Sequence, residues 1–241
     1  MWSGLDLLFP PICGGCGKLG ERWCKDCQQN LTPLPKPICE ICGEPQNKAG
    51  ICKECTSLRP PYRALRSWAV FKPPIQHALH KLKYRRDVAL GDALAPHLTK
   101  FVEILGWEAD LVVPIPLSQQ RLSERGYNQV AVVATPLALI NGWRYAPQAL
   151  RRIKHTRSQV GLSATERQSN VRGVFSAEPR TVKGKKVLLM DDVATTGATL
   201  VAASQALMDA GAEQVYALTI AKALSHYGSD AVLNTPFRPL R

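Results

Sequence analysis

An α/β domain, its parallel sheet flanked by helices, with a small cysteine-rich module at its N-terminus, is the fold class this sequence predicts. Three observations predict it. Strand-like and helix-like segments alternate along the chain after residue 61. One strand segment, KKVLLMDDV, holds an unbroken apolar run, the pattern of a strand buried on both faces of a parallel sheet. All eight cysteines lie between Cys13 and Cys55 and none in the remainder, whereas packing cysteines would be dispersed.

The chain has 241 residues, enough for one domain and a module. The predicted division is 1–60 and 61–241, with Arg59-Pro60-Pro61 as the linker. Hydrophobic residues make up 45% and charged residues 21%, which excludes a disordered chain. No apolar run approaches the roughly 18 residues of a membrane span. The start, MWSGLDLLFPP, has no basic segment before its short apolar run, so no signal peptide and a cytoplasmic location are predicted. Formal net charge is +12. Residues 1–60 hold 7 basic and 6 acidic side chains; residues 61–241 hold 24 and 13. The larger segment therefore carries nearly all the excess. A basic domain suits polyanions, either nucleic acid or phosphate-rich small molecules; the plainer alternative is a high pI with no such partner.

In the first sixty residues, prolines and glycines break any long periodicity, and so short a segment needs a staple. The cysteines form four pairs: Cys13 and Cys16, Cys24 and Cys27, Cys39 and Cys42, Cys52 and Cys55. A CxxC turn aims two thiolates at one tetrahedral ion, and two such turns complete a four-cysteine zinc site. Two structural zinc ions are predicted. Sequential grouping and interleaved pairing both remain open at this point. A closed four-cysteine site leaves no position for substrate. A disulfide framework conflicts with the absent signal peptide and with the cysteine-free larger segment.

RALRSWAVF reads as a strand and PPIQHALHKLKYRR as a helix, with Ile75, Leu79 and Leu82 at helical spacing. DVALGDALAPHLTKFVEILG reads as a helix that Pro96 kinks or divides. DLVVPIPL reads as a short buried strand ending in two prolines. SERGYNQVAVVATPLALING reads as one helix stopped at Asn141-Gly142. Strand candidates flank a polar, basic segment between Ala149 and Phe175. TGATLVAASQALMDAGA reads as a helix ending at Gly211, and EQVYALTIAKA as a strand.

The strand KKVLLMDDV delivers Asp191 and Asp192 at its carboxyl end. The turn Ala194-Thr195-Thr196-Gly197-Ala198-Thr199 then enters a helix. Small residues let the backbone approach a ligand, and the first N–H groups of a helix point outward without acceptors. Such a cup suits a phosphate dianion, and the carboxylates beside it suit sugar hydroxyls, which together fit a ribose 5-phosphate. Neither GxxxxGK[ST] nor GxGxxG is present, so an NTPase loop and a dinucleotide fold are not indicated. The plainer alternative is a capped strand-to-helix turn.

Basic residues gather in three places: Lys81, Lys83, Arg85 and Arg86; Arg121 and Arg125; and Arg151, Arg152 and Lys154, followed by His155, Arg157, Arg167 and Arg172. Tyr84 and Tyr127 lie among them. Cations for the backbone and aromatic faces for the bases are the ingredients of single-strand binding. The alternatives are solvated surface charge and, for Tyr127, a place in the core. His77, His80 and His97 are predicted as ordinary helix residues.

VLLMDDVATTGATL closely resembles the ribose-phosphate motif of type I phosphoribosyltransferases. With the N-terminal cysteines, HKLKYRRD, VVPIPLSQQRLSERGYNQ and TRSQVGLSATERQSNVRGVF in that order, the chain resembles the ComF/GntX family. These are competence-associated, phosphoribosyltransferase-like proteins linked to DNA uptake and use. The resemblance implies that Asp191 and Asp192 hold the ribose hydroxyls of phosphoribosyl pyrophosphate and that Ala194 to Thr199 hold its 5-phosphate. It places Pro114 and Ile115 in the pyrophosphate loop and brings Mg²⁺ with the substrate. It departs from the family pattern at Ala194, where a second valine is common, and at Thr156 to Gln159. Three functions follow: an accessory protein that binds single-stranded DNA, with a DNA-uptake helicase or processing protein as partner; an active transferase to a nucleobase or amine; or a regulator that uses the pocket as a nucleotide sensor.

Overall fold

The computed structural model describes residues 10–153 and 173–224. Lys154 and the basic positions from His155 to Arg172 lie outside the described residues, as does the tail from residue 225. Among the described residues no helix is long and apolar enough to cross a membrane.

The cysteine module holds two short helices, α1 Lys25–Gln29 and α2 Lys53–Ser57. After it come β1 Ala64–Val70, α3 Ile75–Tyr84, α4 Ala89–Ile104, β2 Leu111–Pro114, α5 Gln119–Arg125 and α6 Gln129–Asn141. Next are β3 Arg144–Tyr145, β4 Leu150–Arg152, β5 Phe175–Ala177, α7 Pro179–Val182, β6 Lys186–Ala194, α8 Ala198–Asp209 and β7 Gln214–Lys222. Five strands form a parallel sheet in the order β1-β7-β6-β2-β3, and β4 pairs antiparallel with β5.

Side chains alternate across the sheet, so two apolar layers form. Val112, Leu188 and Met190 face a layer with α3, α4 and α6, while Leu111, Val113, Val187 and Leu189 face a layer with α8 and β4. The pattern predicts this from the strand sequences. α3 buries Ile75, Ala78, Leu79 and Leu82 along one stripe.

α4 is one helix through Pro96, which lies on its exposed side. A second proline is Pro136 inside α6, where the carbonyl four residues earlier belongs to Val132. Against that carbonyl sits Gly91 of α4. A β-carbon there would lie 2.4 Å from the Val132 oxygen and 2.5 Å from its Cγ1. Both are within a rigid helix–helix contact, so neither helix can give way. Gly91→Ala is expected to cost about 1–3 kcal/mol in urea unfolding. An unchanged midpoint would mean that α4 and α6 do not meet so closely.

The single helix expected from SERGYNQ onward is two. Gly126 takes φ +79°, a left-handed stop, and Asn128 starts α6 by accepting from Val130 N at 2.9 Å. The glycine and the capping asparagine carry both signals in three residues.

The cysteine module is fused to the sheet. β1 is an edge strand, and its outward amides of Leu65 and Val70 donate to Ile41 O at 2.7 Å and Thr32 O at 2.8 Å. Cys13, Trp23 and Cys27 pack into one apolar layer, while Cys39, Ile41, Cys55 and Tyr62 pack into the other. The module thus straddles β1. Lys222, 2% exposed at the end of β7, pairs with Glu44 at 2.9 Å across the same boundary.

Candidate functional site

The eight cysteines are free thiols in two sequential groups, which removes the interleaved pairing. In each group the four sulfur atoms lie within 4.8 Å of one another. Cys13–Cys27 and Cys16–Cys24 sulfurs are 3.6 Å apart, and Cys42–Cys52 sulfurs 3.7 Å apart. Tetrahedral bonds of about 2.3 Å to zinc set sulfurs roughly 3.8 Å apart, so the donor sets fit the ion. Gly17 and Gly43 follow the second cysteine of two pairs at φ +80° and +64°, letting the backbone turn. Cys24 N donates to Cys13 Sγ at 3.4 Å and Cys52 N to Cys39 Sγ at 3.3 Å. Burial opposes the Cys13 thiolate, but the amides of Cys16, Cys24 and Gly15 outweigh it and bring this thiol down to about 6. Cys39 is lowered in the same way, to about 7, whereas burial and the neighbouring sulfurs push up Cys27 and Cys55.

The second constellation lies at the carboxyl end of β6. Strand alternation sends its two aspartates to opposite faces. Asp192 follows Leu188 and Met190 into the α3–α6 layer. It is 7% exposed, and its Oδ2 receives Lys83 Nζ at 2.6 Å and Gln129 Nε2 at 2.8 Å. Arg125 Nη1 in turn donates to Gln129 Oε1. Burial opposes the Asp192 charge, yet Lys83 and Gln129 outweigh it and hold the carboxyl below its usual range. Asp191, half-buried, turns the other way and accepts from Asp192 N at 2.8 Å. Burial and the neighbouring Asp192 charge push its carboxyl up to about 7, against the pull of Lys83 and Arg121.

Asp191 therefore holds its proton more tightly in the folded protein than in the unfolded chain. Its ionisation removes stability as pH rises from 3.8, its ordinary value, to about 7. In the ligand-free protein, Asp191→Asn is expected to raise Tm relative to the parent by an amount that grows from about pH 4 and levels off above about pH 7. A difference flat with pH would contradict the assignment.

Beyond Ala194, Thr195 and Thr196 are exposed, and Gly197 at φ +75° turns the chain into α8. Ala198 N reaches Thr196 Oγ1 only at 3.5 Å, and the first-turn amides of Ala198 and Thr199 have no intrahelical acceptor. The turn offers hydroxyls and N–H groups to an anion. Across from it, Pro114 pairs with Met190 at the end of β2. Ile115 spends its N–H on Met190 O at 2.8 Å and its carbonyl on Asn128 Nδ2 at 2.8 Å. Its backbone is thus committed to the fold, and the loop's open stretch begins at Pro116.

The basic residues divide. Lys81 Nζ donates to Cys13 O at 2.7 Å, tying α3 to the cysteine module and away from the carboxylates. Lys83 belongs to Asp192. Arg85, Arg86 and Arg121 are exposed. Arg125 lies 5.5 Å from the ring centre of Tyr84, itself 64% exposed. Tyr127 donates to Leu82 O and is half-buried. On β4, Arg151 is exposed and Arg152 lies over the Phe175 ring at 5.7 Å, within the fields of Arg121 and Asp191. Sequence reasoning missed Gln129 as a site residue. The signal was a polar side chain opening an otherwise apolar helix, QVAVVA.

Two domain families match the chain: Double zinc ribbon domain over residues 4–56 and Phosphoribosyl transferase domain over residues 110–231. The cysteine groups are therefore a zinc-binding double ribbon, and the parallel sheet with its flanking helices is a phosphoribosyl transferase fold. The chain belongs to the ComF/GntX family, which includes DNA utilization protein YhgH and Competence protein ComFC. It is 31% identical to YhgH of Escherichia coli K12 over 90% of this chain and 100% of the relative. It is 29% identical to ComFC of Bacillus subtilis 168 over 87% of this chain and 84% of the relative. A solved adenine phosphoribosyltransferase is similar over 63% of this chain and 79% of that one, at 18% identity and a TM-score of 0.39.

Proposed function

We propose that the end of β6 and its turn into α8 bind phosphoribosyl pyrophosphate with its Mg²⁺, and that the basic face around Tyr84 binds single-stranded DNA during DNA uptake. The observation that carries this reading is the paired carboxylate arrangement. Asp192 is braced by Lys83 and Gln129 while Asp191 is half-buried beside the N-terminus of α8, whose first amides have no intrahelical acceptor. Hydroxyl donors meet carboxylate acceptors, and the 5-phosphate meets the amides and hydroxyls of Thr195, Thr196 and Thr199. Magnesium enters on the pyrophosphate oxygens and water. Names of the relatives, DNA utilization and competence, support a nucleic-acid partner. The cytoplasm is the proposed compartment. A DNA-uptake helicase or processing protein is the proposed partner for the zinc ribbons.

Two assays test it. Calorimetry with Mg²⁺ and phosphoribosyl pyrophosphate tests the pocket, and pyrophosphate release with a panel of nucleobases and amines separates binding from transfer. Anisotropy of a labelled oligothymidylate tests the face. If about five cations meet phosphates, affinity is expected to fall roughly 100-fold between 50 and 200 mM salt. No binding at low salt would remove DNA from the proposal.

A further inference from the structure

The pocket and the basic face share one hydrogen-bonded chain. Arg125 Nη1 donates to Gln129 Oε1, and Gln129 Nε2 donates to Asp192 Oδ2 at 2.8 Å, the oxygen that also receives Lys83 at 2.6 Å. The outer end of this chain is the surface: the Arg125 guanidinium sits 5.5 Å from the centre of the exposed Tyr84 ring. Its inner end is a carboxylate 7% exposed. Tyr84 follows Lys83 directly, so the two ends of the chain close on neighbouring residues of α3.

We propose that a single strand on the Tyr84–Arg125 face and a ribose phosphate at Asp191 and Asp192 weaken each other's binding through this chain. The inference rests on the ligand pair proposed above and adds the coupling between them. Two effects set its sign, and they agree. A strand phosphate that draws the guanidinium outward takes the donor from Gln129 Oε1. The amide is 4% exposed and then has an unsatisfied oxygen, which is best met by turning away from Asp192. Conversely, a ribose that fixes Asp192 fixes Gln129 and commits Arg125 inward. Both ligands are also polyanions, and Lys83 and Arg121 act on Asp191 while Arg125 lies beside Tyr84, so the two ligands compete for one set of cations.

The test measures oligothymidylate affinity by anisotropy with and without saturating Mg²⁺ and phosphoribosyl pyrophosphate at matched ionic strength. The strand's Kd is expected to rise about five- to tenfold, and calorimetry with saturating oligonucleotide is expected to give the same factor for the sugar phosphate. In Arg125→Met, whose fold is checked by circular dichroism, strand binding is expected to weaken and the coupling factor to fall to about half of the parent value or less. Both ligands binding with no mutual effect would overturn the coupling and leave the site reading standing. A coupling factor that persists in full in Arg125→Met would remove the chain as its route. Failure of either ligand to bind the parent protein would overturn the reading beneath it, and this inference with it.

Discussion

Chelating the zinc under reducing conditions is expected to lower the Tm of the whole chain by about 10 °C or more and to bring on aggregation. The reason is where the ribbons sit. They cover the open edge of β1 through Leu65 and Val70, and each ribbon contributes side chains to a different apolar layer. Losing the two ions removes the bonds that fix Cys13 in one group and Cys39 in the other, both fully buried. The edge amides then lose their acceptors, and Lys222 loses Glu44 while remaining buried. Scanning calorimetry with and without chelator reads this directly. A phosphoribosyl transferase transition that keeps its temperature after the metal is gone would mean the module is only tethered to the sheet.

Replacing both Asp191 and Asp192 with alanine is expected to weaken phosphoribosyl pyrophosphate binding by at least about 100-fold. Hydrogen bonds to charged groups contribute about 1.5–3 kcal/mol each, and two carboxylates are lost. Asp192→Ala also leaves Lys83 facing Gln129 without a counter-charge. Asp191→Asn with Asp192→Asn therefore serves as the milder variant. It keeps the shape, and circular dichroism checks the fold of both. Calorimetric binding that survives in a folded alanine pair would exclude these residues as the ribose acceptors, and binding that survives only in the asparagine pair would show that the acceptor oxygens matter and the charge does not.

Much of this was legible in the sequence where a single local pattern sufficed. The apolar run of Val187 to Met190 defined β6, and four CxxC pairs defined the zinc ligands, because each depends on spacing alone, while the grouping of the pairs needed the fold. The site was harder. Lys83 and Asp192 are 109 residues apart in the chain, and only the packing of α3 under the sheet brings them together. Lys81 and Lys83 look like one basic cluster in sequence. On a helix, residues two apart do not share a face, so one binds the cysteine module and the other the carboxylate. The break at Gly126 was written in the residues themselves and lost to the apolar periodicity around it.

The opposite pointing of the two aspartates has a consequence for how the pocket senses the rest of the molecule. Asp192 takes its position from α3 and α6, and Asp191 stands over the α8 and β4 side. Each face of the sheet thus positions one of the two carboxylates, so with a ribose held as proposed, a displacement in the α3–α6 layer reaches it through Asp192 and one in the α8–β4 layer through Asp191.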